Sequence, residues 1–377
     1  MRILHALVVA SLAASAAFAG PLNPPAGPIT STGRTTTEIE PRVPVGPTTT
    51  PGDATSLYII SAPGSDYLTG NVTGVSGKMG IRINADDVTL DLSGFEVLGV
   101  TGATVGVGNP SIPGRRGVCV RNGTIANWPG IGLQMYISGG QNIGHRFENL
   151  VVRNNLGGGL ECRDAGICWN VSANNNTGFG FNLGDGCIAQ NCVAFSNTGV
   201  GIDLSFGASA TNCVSRSNGS HGFVAASDCT LTGCNAMFNG GNGYSLSLSL
   251  ATNSQSNSNS GAGFSCTTNC VVQQCHAYNN DTGGIVMTSD CRVSNCNVTS
   301  GGPVGIRASG ADNHIQGNSV RDAAVGFDII GTGNFVVSNT ASGGTTRFNI
   351  AATNTYGPIV SAVGVIASTS PYANFEY

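Results

Sequence analysis

Charge is scarce in this 377-residue chain: only 10% of its residues are Asp, Glu, Lys or Arg, and Lys78 is its single lysine. Amphipathic surface helices need charged residues opposite their apolar ones, so a helical protein is excluded. Aromatic residues make up 6%, which leaves small side chains to build the interior. Disorder through charge is excluded as well, because the formal net charge is −4 and 40% of the chain is apolar. With 15 prolines, collagen is out of reach. After the first residues no apolar run is long enough to span a membrane. What is abundant is glycine, 56 residues, which weakens helices and marks a chain of short strands and many turns.

The start reads as an address. Met1-Arg2 is followed by an apolar or small stretch from Ile3 to Ala17, and Ala17-Phe18-Ala19 supplies an A-x-A cleavage site. Residues 1–19 are therefore read as a signal peptide, and the mature protein as secreted, extracellular or periplasmic. Residues 20–55 are rich in Pro and Thr, and Pro blocks ladder hydrogen bonds, so they are read as an extended lead-in. Strand-like alternation begins at Leu57-Tyr58-Ile59-Ile60.

The dominant feature is a repeat. Gly followed by an apolar residue recurs at Gly159, Gly180, Gly201, Gly222, Gly243, Gly263, Gly284, Gly305 and Gly326, at intervals of 21 with one of 20. Self-similarity at a fixed period of this length marks a solenoid. Within each repeat apolar residues alternate, then break parity at positions such as Gln274 and Asn295, as two very short strands joined by a bend would. Asn155, Asn176, Asn197, Asn218 and Asn239 form a further column, suited to left-handed turns and to bonding along an axis. Three short strands and three bends per 21 residues describe a coil of an all-β, right-handed parallel β-helix, with roughly twelve or thirteen coils at ~4.8 Å each. The expected organisation is a β-helix over 56–350 and a C-terminal capping segment over 351–377. Leucine-rich repeats lack support for want of a leucine framework, and propeller blades need about twice this period.

The repeat resembles that of the pectin lyase-like superfamily. More narrowly, Pro63-Gly64-Ser65-Asp66-Tyr67-Leu68-Thr69-Gly70-Asn71, the run Gly80 to Phe95 and the ending Pro371-Tyr372-Ala373-Asn374-Phe375 are similar to secreted bacterial right-handed parallel β-helix repeat-containing proteins. That resemblance implies the fold and carries no established activity.

Cysteine offers the most motif-like pattern. C-x4-C occurs at Cys187/Cys192, Cys229/Cys234, Cys270/Cys275 and Cys291/Cys296. Zinc sites use such pairs, but here the repeat dictates the spacing. Cys192, Cys213, Cys234, Cys275 and Cys296 share an inward column, with Asn318 and Asn339 taking it over in later coils. Small Cys side chains suit a narrow interior, so these are read as a buried ladder, with inter-coil disulfides left open. Thirteen cysteines cannot all pair within the chain, and Cys119, which breaks the inward parity, is the expected odd thiol.

Candidate chemistry falls in two insertions, a Gly/Pro-rich stretch over 99–116 and extra residues around 136–146. From 115 to 164 there are six Arg against three acids, a local +3 in a negative chain. Arg115, Arg116, Trp128, Tyr136, His145 and Arg146 form a candidate substrate groove, since aromatic platforms beside Arg suit acidic sugars. Arg121 or Arg153 is the candidate base for abstracting a C5 proton. Asp164 and Asp185, stacked on successive coils, are candidate Ca²⁺ ligands, as resembling pectate lyases use calcium. Glu161, Asn182 and Asp203 share another outward column, and Glu161 and Asp203, roughly 9.6 Å apart, also fit an inverting glycosidase pair. Gly-His-Gly does not occur, and no Lys is placed for Arg-x-Lys, which argues against a polygalacturonase. His145, His221, His276 and His314 show no ligand spacing, and a pI of about 5.7 discourages nucleic-acid binding. Two readings stand: a non-catalytic extracellular β-helix that binds a polysaccharide or cell-surface glycan or serves structurally, and a lyase or epimerase acting on uronate polymers.

Overall fold

The computed structural model describes residues 41–109, 113–136, 142–299, 302–361 and 364–377. The expected signal peptide and most of the Pro/Thr-rich lead-in lie outside the described residues. From Arg42 to Tyr377 the chain is one compact unit. No helix occurs among the described residues, and none is long and apolar enough to cross a membrane.

The chain winds into a right-handed parallel β-helix. One sheet has 14 strands, one per coil, from Ser56–Ile60 to Thr346–Ile350, each parallel to the next. We call this the first sheet. A 28-stranded sheet holds the second and third strands of the coils. Those two faces merge because Cys119–Ala126 and Arg146–Arg153 run through the bend without a break. The coil that begins with Phe181–Leu183 is typical: its second strand is Ile188–Gln190 and its third Val193–Phe195. The first sheet counts fourteen coils, against roughly twelve or thirteen expected. The stretch 99–116 is not one excursion: the first-sheet strand Val107–Gly108 divides it between two corners.

Side-chain parity follows from register. Phe181, Leu183, Ala189, Cys192 and Ala194 point inward and are fully buried, and their counterparts repeat in the next coils. Rings stack in the same way: Phe223, Tyr244 and Phe264 lie 5.0 and 4.5 Å apart with planes 5° off parallel. The glycine that opens each coil is required by close approach. A Cβ on Gly180 would sit 2.5 Å from the Gly201 carbonyl oxygen of the next coil.

The asparagine column is a hydrogen-bonded ladder. In each coil the Asn Oδ1 accepts both the backbone N–H and the side-chain Nδ2 of the preceding coil's Asn, as at Asn176 to Asn197 (3.0 and 2.9 Å) and Asn197 to Asn218 (3.0 and 3.0 Å). The left-handed residue is the one before, Asn154, Asn175 or Ser196, so the ladder Asn itself does not take the turn conformation. The bend between second and third strands does use αL residues: Asn170, Asn191, Asn212, Gln274 and Asn295 all have φ between 52° and 55°.

The cysteine column is core, as its spacing suggests. All thirteen thiols are unbridged, and all but Cys119 are buried. Ser254 continues the column where Cys is missing, its Oγ accepting the Cys234 N–H, and Asn318 accepts that of Cys296. Both ends are closed. Val43–Pro44 pairs with Asp66–Tyr67, a difference from the unpaired lead-in expected; Pro44 is tolerated because it lies on the outermost strand. At the other end Asn374 extends the Asn318–Asn339 ladder, accepting the Asn339 N–H at 3.0 Å.

Candidate functional site

The arginines proposed as bases are already engaged. Arg121 lies on the second-strand face with Nε 3.2 Å from Asp91 Oδ2, and Arg42 approaches the same carboxylate at 3.9 Å. Burial pushes the Asp91 carboxyl up, but hydrogen bonds from Ser93 and Asn122 and the Arg121 charge outweigh it, leaving it below its ordinary value. Arg153 lies in the third strand, with Nη2 3.0 Å from Glu96 Oε1. Each guanidinium is thus held against a carboxylate. The two do not share a site either.

The proposed groove also comes apart. Trp128 is fully buried, donating Nε1–H to the Val97 carbonyl at 3.0 Å. Its ring fills space left by Gly74, Gly80 and Gly106, where any Cβ would come within 2.9 Å of ring atoms. A side chain so enclosed offers no sugar platform. The exposed tryptophan is Trp169, 43% accessible on the second-strand face. His145 is buried too, with Nδ1 accepting the Val118 N–H, and burial drives its pKa down to about 4 against the raising influence of Asp86. It is a neutral core imidazole. Arg146 is exposed and paired with Glu148 at 2.5 Å.

Arg115 and Arg116 sit at the corner between first and second strands. The Arg115 N–H donates to Asn142 Oδ1 (2.8 Å), and Arg116 forms a parallel bridge with Ile143, which bridges onward to Asp164. The ends of the two insertions therefore stack on one corner of neighbouring coils. Asp164 follows there, its Oδ2 3.3 Å from Arg163 Nε, and Ala165 N–H donates to the Asp185 carbonyl. Two carboxylates, one already countered by Arg163, supply only part of a calcium shell. Among the described residues no group of three His, Cys, Asp or Glu is arranged to hold a metal.

The first sheet gathers what the groove did not. Gln134, Glu161, Asn182 and Asp203 occupy one outward column on four successive coils. Gln134 Nε2 donates to Glu161 Oε2 (2.9 Å) and Asn182 Nδ2 to Oε1 (3.0 Å). Glu161 is only 8% exposed; burial raises its pKa, and the two amide bonds oppose that rise. Burial raises Asp203 as well, opposed by the charge of His221 and the Leu204 N–H. His221 Nδ1 accepts the Asn242 N–H at 2.9 Å, which fixes the ring and leaves Nε2 as the proton-carrying atom. Along the next row Tyr136 lies under the Arg163 guanidinium, 5.3 Å from ring centroid to Cζ. Phe179 covers Gly158 on the same sheet.

The arrangement unites carboxylates of raised pKa, amide donors, a positioned imidazole and a Tyr–Arg pair on adjoining coils. Parity foretold the Glu161–Asn182–Asp203 column. It missed Gln134, because the 27-residue interval hides its register, and His221, because metal-ligand spacing was the wrong criterion. The applicable signal was its place immediately before Gly222-Phe223.

No protein-family model matches the chain, and no curated protein matches it. Solved structures do. The A-module of mannuronan C-5 epimerase AlgE6 from Azotobacter vinelandii is 15% identical, covers 79% of this chain and 87% of its own, and superposes with a TM-score of 0.55. The likeness is one of fold. The AlgE4 A-module of the same organism (16% identity, 78% and 91% coverage, TM-score 0.47) and the Siphovirus 9NA tailspike receptor binding domain (10%, 81% and 74%, 0.47) match less closely. The chain is a parallel β-helix, the fold it shares with the AlgE6 A-module.

Proposed function

We propose that this protein binds polysaccharide, with the glycan lying along the first sheet from Gln134 to His221. The observation that carries the reading is the four-coil column Gln134–Glu161–Asn182–Asp203, in which Gln134 and Asn182 both bond Glu161 and Asp203 follows in register, flanked by Tyr136, Phe179 and His221. Parallel coils repeat outward positions every ~4.8 Å, so a linear polymer meets the same kinds of group in succession. Carboxylates accept sugar hydroxyls, amides both donate and accept, and rings stack on the apolar faces of pyranoses. The likeness in fold to a mannuronan C-5 epimerase module agrees with this reading. Calorimetric titration against a panel of neutral and uronate polysaccharides tests it. Saturable binding, weakened about tenfold by Asp203→Asn, is the expected outcome. Silence across the panel contradicts it.

A second reading, uronate lyase or epimerase chemistry, is favoured by one observation: a cation, Arg163, lies beside Tyr136 on the sheet that also holds His221. Removing a proton α to a carboxylate needs that carboxylate neutralised, and the chemistry that follows needs a proton donor, roles that Arg163 and the His221 Nε2–H fit. Incubation with pectate and alginate, with and without a chelator, separates the readings. Unsaturated uronate ends mark a lyase, and solvent deuterium at C5 marks an epimerase. Absence of both leaves the binding reading alone.

A further inference from the structure

The third-strand face carries a different chemistry. Its eight strands from Ser172–Asn174 to Ser319–Arg321 contain Arg216, His276 and Arg321 and not one Asp or Glu, in a chain of net charge −4. Asp281 and Asp322 sit in the turns that follow. Arg216 lies in register with Phe195, and its guanidinium is held between two rings, 5.9 Å from the Phe195 centroid and 5.5 Å from that of Phe238. Among the described residues it has no ion pair, unlike Arg121, Arg153 and Arg307.

Phe238 is the anomaly. It has φ 55° at a turn position filled in other coils by Asn175, Ser196, Ser217, Ser258 and Asn279, residues that take the left-handed conformation more readily. It is 51% exposed, so core packing does not account for it. What it does is cover Arg216. A guanidinium stacked on rings keeps its N–H edge open, in the fork geometry that matches a carboxylate.

We infer that this face is a second binding strip, for a carboxylate-bearing polysaccharide, centred on Arg216 with Phe195 and Phe238. Outward Gln255, Asn257 and Tyr278 extend it along the axis. The strip goes beyond the first-sheet reading and does not depend on it. Sulfate esters share the charge of a carboxylate, so both are tested.

The experiment is affinity electrophoresis of the full chain in gels containing polygalacturonate, dextran sulfate or neutral dextran. It is run on wild type, Arg216→Gln, Phe238→Asn and a first-sheet control, Asp203→Asn/His221→Ala, with a melting curve for each. The expected result is retardation by polygalacturonate that persists in the control and weakens about tenfold in both Arg216→Gln and Phe238→Asn. Phe238→Asn should melt no lower than wild type, because it removes a strained conformation; a merely structural Phe238 would lower it. Retardation unchanged in both strip variants overturns the inference, as does retardation lost only in the first-sheet control. Retention by dextran sulfate alone overturns the carboxylate assignment.

Discussion

Replacing Asn197 by Ala tests what holds the coils in register. In the ladder Asn197 Oδ1 accepts the Asn176 N–H (3.0 Å) and Asn176 Nδ2 (2.9 Å), while its own Nδ2 donates to Asn218 Oδ1 (3.0 Å) and the Ala173 carbonyl (2.9 Å). Asn176 Nδ2 keeps a second acceptor, the Val152 carbonyl, but its backbone N–H has no alternative among these bonds. The substitution thus removes three bonds with side-chain donors at about 1 kcal/mol each and orphans one buried N–H at a further 1–3 kcal/mol, a loss of about 4–6 kcal/mol. The control is Asn191→Ala, an exposed αL residue at φ 54°, whose loss is about 1 kcal/mol of backbone strain. Urea unfolding followed by circular dichroism measures both. A loss below about 1 kcal/mol at Asn197, or equal losses at the two positions, would refute the ladder as the element that ties coil to coil.

Other outcomes follow from the same geometry. Trp128→Ala should destabilise by about 3–5 kcal/mol, measured by the same unfolding, because it empties a closed core site; a surface platform would lose little. Of thirteen thiols, native protein should expose only Cys119 to a thiol reagent such as DTNB, and slowly, since burial pushes its thiol up; denatured protein should release all thirteen. Asp66 occupies the inward register of Leu90 at the first coil, beside a cavity of about 140 Å³, and burial raises its pKa to about 6. The folded value lies above the ordinary one of 3.8, so this group's contribution is full below about pH 4 and is lost as pH rises through about 6. The melting temperature of Asp66→Asn relative to wild type should therefore climb across that window. A flat difference contradicts it.

The coil was legible because a narrow interior tolerates only small or apolar side chains at inward positions, and a fixed period repeats that demand. The site was less so. Proximity to arginines singled out Trp128, whereas register puts Trp169 in the outward row of Arg121 and Glu148. The partners of Arg121 and Arg153 lie 30 and 57 residues away, spacings stretched by the insertions, so no 21-residue count finds Asp91 or Glu96. His145 falls in a charged span yet is buried, because it holds the inward register that Cys187 continues two coils on and lies beside Phe147. Where the period holds, as from Glu161 through Asp203, parity places the outward groups correctly.

Hydroxyl-radical footprinting with saturating polysaccharide tests the central claim most directly, since the oxidisable rings that report on it lie on distinct faces. Binding along the first sheet predicts protection of Tyr136, Phe179 and His221, with Trp169 on the second-strand face still oxidised at its free-protein rate. Protection of Trp169 with Tyr136, Phe179 and His221 unchanged would contradict it.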